Sequence, residues 1–89
     1  MSIATENFVK VIYQFDQNQG LDTKPGTIAK ALGITNAAAT DMAKKLALKE
    51  LVKFQKYQPL QLTENGRKMA LSVIRRHRLW ETFLYRTLN

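Results

Sequence analysis

The chain has 89 residues, 14 Lys plus Arg against 7 Asp plus Glu, a formal net charge of +7, and 45% hydrophobic residues. That length accommodates one small domain, the apolar content excludes a disordered basic tail, and the absence of cysteine excludes disulfide frameworks, thiolate zinc sites and cysteine nucleophiles. No apolar run is long enough to span a membrane, and Met1–Asn7 shows neither a basic leader nor an apolar signal core, so a cytoplasmic protein with no membrane partner is expected.

Phe8, Val11, Ile12 and Phe15 recur at helical spacing and predict a first amphipathic helix, with Ser2 or Thr5 as its cap and Asn18-Gln19-Gly20 as its stop. Thr23 through Leu32 combines a cap, an early proline and a short apolar face of Ile28, Ala29 and Leu32, and Gly33 supplies the left-handed residue that ends the second helix. Only Gly33-Ile34-Thr35 separates it from a third helix, capped by Thr35, whose buried stripe is Ala39, Met42, Ala43 and Leu46. Two helices joined this closely around a glycine predict a helix-turn-helix, a pattern that an ordinary helical hairpin shares.

Beyond Glu50 the periodicity changes. Leu51 through Tyr57 alternates apolar and polar residues, and Leu60-Gln61-Leu62 alternates again beyond Gln58-Pro59, which predicts a β-hairpin carrying Lys53, Lys56 and Tyr57. From Thr63 the pattern is helical to the end, with Ala70, Val73, Ile74, His77, Trp80, Glu81, Leu84 and Leu88 on one face and Arg67, Arg75 and Arg78 opposite. The predicted fold class is mainly α with a small β-hairpin: a winged helix-turn-helix over residues 1–89, in which 63–89 form a long C-terminal helix.

Charge follows this division. Residues 1–43 carry three lysines against four carboxylates, net −1, whereas residues 44–89 carry six lysines and five arginines against three glutamates, net +8. A polyanion is therefore expected to meet the second half. A helix fits the major groove of DNA while a wing lays cations along the adjacent phosphates. The predicted DNA-binding residues are Thr35, Asn36, Ala37, Ala38, Thr40, Asp41, Lys44 and Lys45 on the recognition helix, and Lys53, Lys56 and Tyr57 on the wing. Arg and Gln, strong donors to purine edges, are absent from the first two turns, so backbone contacts and DNA shape are expected to dominate recognition. Asn36 is expected as a donor to bases, Asp41 as an acceptor from cytosine, and Ala37 and Ala38 as partners for thymine methyls.

An enzyme is excluded on residue types. One histidine, no cysteine and no Gly-rich loop, Gly26 and Gly66 being isolated, leave no activated nucleophile, acid and base pair, or phosphate loop. The other way to use the charge is a basic amphipathic helix over 63–88 that binds an acidic protein or an anionic membrane, which would need neither the hairpin nor the short turn.

His77 and Glu81 stand four residues apart, about 40° of helical rotation, so one cation could meet both, although such a pair is more often a hydrogen bond or a solvated surface pair.

Several stretches, in order, resemble the diphtheria-toxin-repressor family of iron- or manganese-dependent bacterial transcription repressors. They are Thr5-Glu6-Asn7-Phe8-Val9-Lys10-Val11-Ile12-Tyr13, Ile28-Ala29-Lys30-Ala31-Leu32-Gly33-Ile34, Thr40-Asp41-Met42, Leu51-Val52, Leu60-Gln61-Leu62-Thr63-Glu64-Asn65-Gly66 and Arg75-Arg76-His77-Arg78-Leu79-Trp80-Glu81-Thr82-Phe83-Leu84. The resemblance implies a DNA-binding N-terminal domain of a repressor, a homodimer in the complete protein, a double-stranded operator as partner, and Fe(II) or Mn(II) as cofactor. Metal would act by holding the two recognition helices about one DNA turn apart, roughly 34–36 Å. It also implies that His77 and Glu81 match metal ligands.

Asn7 stands where relatives place Met or Asp, and offers an amide oxygen as a weak third ligand. Lys10 stands where manganese-type members place Glu, and an ammonium cannot ligate a divalent cation. Asn89 falls about where the dimerisation region is expected to begin, so the remaining ligands are expected outside this chain and these 89 residues are expected to hold no metal tightly. Trp80 and Phe83 are expected as core or interface anchors, and with that region absent Trp80, Phe83, Leu84 and Leu88 are expected to leave a partly exposed apolar patch that favours self-association.

Overall fold

A computed structural model describes residues 2–18 and 21–88, with side-chain surroundings described through Leu79. Four helices and one hairpin follow in the order α1 (Ile3–Gln17), α2 (Pro25–Leu32), α3 (Asn36–Leu48), β1 (Val52–Lys53), β2 (Gln61–Leu62) and α4 (Glu64–Leu88). The backbone of α4 therefore has the expected length. The side chains of Trp80, Glu81, Phe83, Leu84 and Leu88 lie outside the described residues.

The helix ends are set by local chemistry. Ser2 Oγ accepts from the Thr5 amide at 3.2 Å, so Ser2 is the cap of α1, while Thr5 is buried against Met42. At α2 the expected Thr23 cap is replaced. Lys24 is the cap residue, and the Asp22 carboxylate accepts from the Lys24 amide at 3.0 Å and the Thr27 hydroxyl at 2.9 Å. Thr23 instead joins the hairpin base: its hydroxyl donates to the Leu60 carbonyl and its carbonyl accepts from the Leu60 amide, each at 2.9 Å. Gly33 ends α2 at φ 70°, the left-handed conformation that costs an L side chain about 1–2 kcal/mol. Thr35 Oγ1 then accepts from the Ala38 amide at 3.0 Å and starts α3.

The hairpin is shorter than the alternation predicts. Val52 pairs with Leu62 and Lys53 with Gln61, and the ladder stops there. The same register would next oppose Phe54 to Leu60, whose amide and carbonyl are both taken by Thr23, and then Gln55 to Pro59, which has no amide hydrogen. The Gln58 amide closes a turn on the Gln55 carbonyl at 3.1 Å and Tyr57 sits at φ 65°, so Lys56 and Tyr57 occupy a turned tip rather than a strand.

Phe8, Val9 and Ile12 of α1, Ile28 and Ala29 of α2, Ala39, Ala43 and Leu46 of α3, Leu51, Val52 and Leu60 around the hairpin, and Ala70 of α4 form one buried cluster. Each large side chain in it contributes about 1.5–3 kcal/mol relative to exposure. Because Ala70 and Val73 are fully buried, the first half of α4 belongs to this core. Gly66 sets how close α4 comes. A Cβ there would lie 1.9 Å from the Leu51 carbonyl oxygen. Beside it, Thr63 Oγ1 accepts from the Gly66 amide at 3.0 Å and donates to the Glu50 carbonyl at 2.6 Å, tying the end of α3 to the start of α4.

Candidate nucleic-acid interface

Helix α3 buries Ala39, Ala43 and Leu46 and turns Asn36, Ala37, Ala38, Asp41, Lys44 and Lys45 to the surface, with Thr40 half-buried at the edge. The helical repeat spreads these positions over a broad exposed arc. Asn36 and Thr40 share one flank and face the tip of the hairpin. Between them lies a mainly apolar groove of about 340 Å³ lined by Lys24, Pro25, Gly26, Asn36, Thr40, Phe54, Lys56 and Tyr57. Tyr57 is 81% exposed and the Lys56 ammonium stands 5.2 Å from its ring centroid, a cation–π distance.

The other flank of α3 carries Ala38, which shares a groove with Asn7, Ile34 and Met42. Asp41, Ala37, Lys44 and Lys45 lie between the two flanks, and Thr35 stands at the helix start. Lys53 lies elsewhere. It lines the side of the hairpin toward Tyr13, Asp16, Gln61 and Arg67, because the neighbouring Val52 takes the inward face.

Sequence reasoning missed Lys24. It reaches the groove because Pro25 starts α2 beside the first turn of α3, an adjacency that only the packing of α2 on α3 creates. The signal within reach was a lysine at the cap of a helix opening on Pro-Gly.

A second constellation joins α1 to α4. The Arg76 guanidinium donates to Glu6 at 2.6 Å and holds its carboxyl below the ordinary carboxylate range, mainly through that hydrogen bond. One turn further along α1, the Lys10 ammonium donates to His77 Nδ1 at 2.9 Å. Lysine has donors only, so Nδ1 is the acceptor and the imidazole proton sits on Nε2.

This arrangement does not suit a divalent cation at His77. A metal on Nδ1 would have to displace the ammonium, and at about 4 Å the two would repel by about 2 kcal/mol in water and about 8 kcal/mol at an effective dielectric constant of about 20. Among the described residues there is no cluster of three or more His, Cys, Asp or Glu that could hold a metal. The Glu81 side chain lies outside them, and Asn7 lines the groove beside Ile34 and Met42.

Residues 1–60 match the family described as iron dependent repressor, N-terminal DNA binding domain, and residues 63–89 match iron dependent repressor, metal binding and dimerisation domain. The HTH-type transcriptional regulator MntR of Geobacillus kaustophilus is 34% identical over 79 residues, covering 89% of this chain and 55% of that protein. An HTH-type transcriptional regulator of the archaeon Methanocaldococcus jannaschii is 33% identical over 89 residues, covering 100% of this chain and 71% of that protein. Among solved structures, that of the manganese regulator SloR superposes with a TM-score of 0.83 at 34% identity, covering 100% of this chain and 41% of that one. The chain spans about half the length of the MntR relatives it matches. On the two family matches and these likenesses, the chain belongs to the iron-dependent repressor family of transcriptional regulators.

Proposed function

We propose that residues 1–89 form one DNA-binding domain of a transcriptional repressor that binds a double-stranded operator as a homodimer in the cytoplasm and catalyses no reaction. One observation carries this reading. The exposed arc of α3 and the hairpin tip flank a single groove, with Lys24, Asn36, Thr40, Lys56 and Tyr57 around it. Helix α3 enters the major groove, where the Thr35 and Thr40 hydroxyls and the Asn36 amide meet backbone and base edges. Ala37 and Ala38 pack on thymine methyls and Asp41 accepts from cytosine. Lys44, Lys45 and Lys56 meet phosphates, and Tyr57 steadies Lys56 through its ring.

The family name and the matched relatives support this reading. The competing use of α4 as a basic membrane-binding helix is disfavoured because its stripe of Ala70 and Val73 is already buried. Among the described residues no helix is long and apolar enough to cross a membrane. The Fe(II) or Mn(II) expected for the complete protein has its support in the relatives, one of them named a manganese regulator. In this reading no metal sits at His77, because the donors there do not fit one.

Thr40→Glu tests the interface. It sets a carboxylate beside the DNA backbone and is expected to lower duplex affinity about tenfold or more. The mobility shift should weaken while the circular dichroism spectrum stays unchanged. A variant that binds duplex DNA like the original chain would remove α3 from the interface.

A further inference from the structure

We infer that the Lys10 ammonium takes the place of a divalent cation between α1 and α4, so that these helices are held together at His77 by a side chain of the protein itself and without metal at that position. Two observations converge. Lys10 and His77, 67 positions apart in sequence, meet at 2.9 Å across the two helices. The adjoining pair, Glu6 and Arg76, meets at 2.6 Å between the same helices, one turn back on α1 and one residue back on α4. The sole acidic side chain of the two pairs is thus already engaged by a guanidinium, leaving Lys10 facing the imidazole.

A cation tethered to α1 performs the mechanical task of a bridging ion. It is attracted by the lone pair of Nδ1, it brings α1 and α4 to a fixed separation, and it repels any free cation that approaches the same nitrogen. Unlike an ion it is present at full occupancy in every folded molecule, so the geometry it supports does not vary with metal supply. This has a second consequence, which rests on the DNA-binding reading above. The attitude of α3 relative to α4, transmitted through α1, is set before any metal arrives, and duplex binding does not depend on Mn(II) at His77.

The sole histidine makes this directly testable, because the imidazole nitrogen and carbon-bound proton signals of the protein come from one residue. Mn(II) is the probe, since its unpaired electrons broaden the resonances of any ring it binds. In the full chain the His77 signals are expected to stay sharp at one equivalent of Mn(II), and duplex affinity is expected to agree within about twofold between EDTA and Mn(II). Lys10→Glu should broaden the ring signals with Mn(II). Lys10→Gln, which keeps the length and an N–H donor and removes the charge, guards against a glutamate variant that fails to fold, and should also broaden more than the original chain.

Broadening of His77 in the original chain would overturn the inference. Sharp signals in the chain and in every variant that folds would overturn it too, because Lys10 would then not be what keeps the cation away. If the ring stays sharp but duplex binding requires Mn(II), the metal-independence of DNA binding falls. If no duplex is bound under any condition, the DNA-binding reading fails, while the ring signals still decide what occupies His77.

Discussion

At Gly66 the deciding quantity is a distance. A Cβ would come within 1.9 Å of the Leu51 carbonyl oxygen, which is backbone, and 3.2 Å from a Leu62 methyl. The residue stands in the first turn of α4, where alanine is otherwise the better helix former by about 1 kcal/mol. Steric exclusion should outweigh that preference, since relief would require α4 to move away from the end of α3. Gly66→Ala is expected to destabilise the fold by about 2 kcal/mol, the range of overpacked positions, with a lower urea midpoint and an unchanged slope. A gain in stability would mean that α4 sits further from Leu51.

Between elements, the polar links from α1 to α4 make the pairing of these helices sensitive to pH. Arg76 lowers the Glu6 carboxyl below its unfolded value, so the unfolded chain binds more protons there in the carboxylate range. The stabilisation from this pair is present above the unfolded carboxylate range and is lost as pH falls through the folded value. Thermal melts should therefore show the original chain losing stability on acidification below about pH 4 more steeply than Glu6→Gln. Parallel curves for the two would show that the ion pair does not contribute. The hairpin shows the same competition between elements in another form. Thr23 and Leu60 exchange two hydrogen bonds, which pin the second arm to the segment before α2 and free Lys56 and Tyr57 to form a turned tip facing α3.

For the molecule as a whole, the number of cations that reach phosphates decides the salt dependence of the proposed complex. Residues 44–89 hold a net +8, and Lys24 of the first half joins the same face through packing. Lys44→Ala and Lys56→Ala should each weaken binding to all duplexes by a similar factor. Each should also flatten the slope of log affinity against log salt by about one unit, since each removes one phosphate contact. Lys24→Ala should do the same if the groove faces the duplex, and an unchanged slope for any of the three would place that lysine off the phosphates. Fluorescence anisotropy at several salt concentrations measures all of these.

Much of the fold was legible because its causes are local. The spacing of Phe8 and Ile12, the hydroxyl of Thr35 one turn from the Ala38 amide, and the left-handed Gly33 all act within a few residues. So was the exposed arc of α3, which lies opposite the i, i+3, i+4, i+7 stripe of Ala39, Met42, Ala43 and Leu46. The hairpin was half legible. Alternation marks residues that suit a strand, but the length of a ladder depends on whether each amide has a partner, and Thr23 claims Leu60 from across the chain. The placement of Lys24 in the groove, the exclusion of a Cβ at Gly66, and the meeting of Lys10 with His77 were decided only by tertiary structure. Sequence alone established that Lys10 could not ligate a metal. That its ammonium occupies the imidazole nitrogen depends on how α1 packs against α4, because a contact between residues far apart in the chain is set by the shared core rather than by either helix alone.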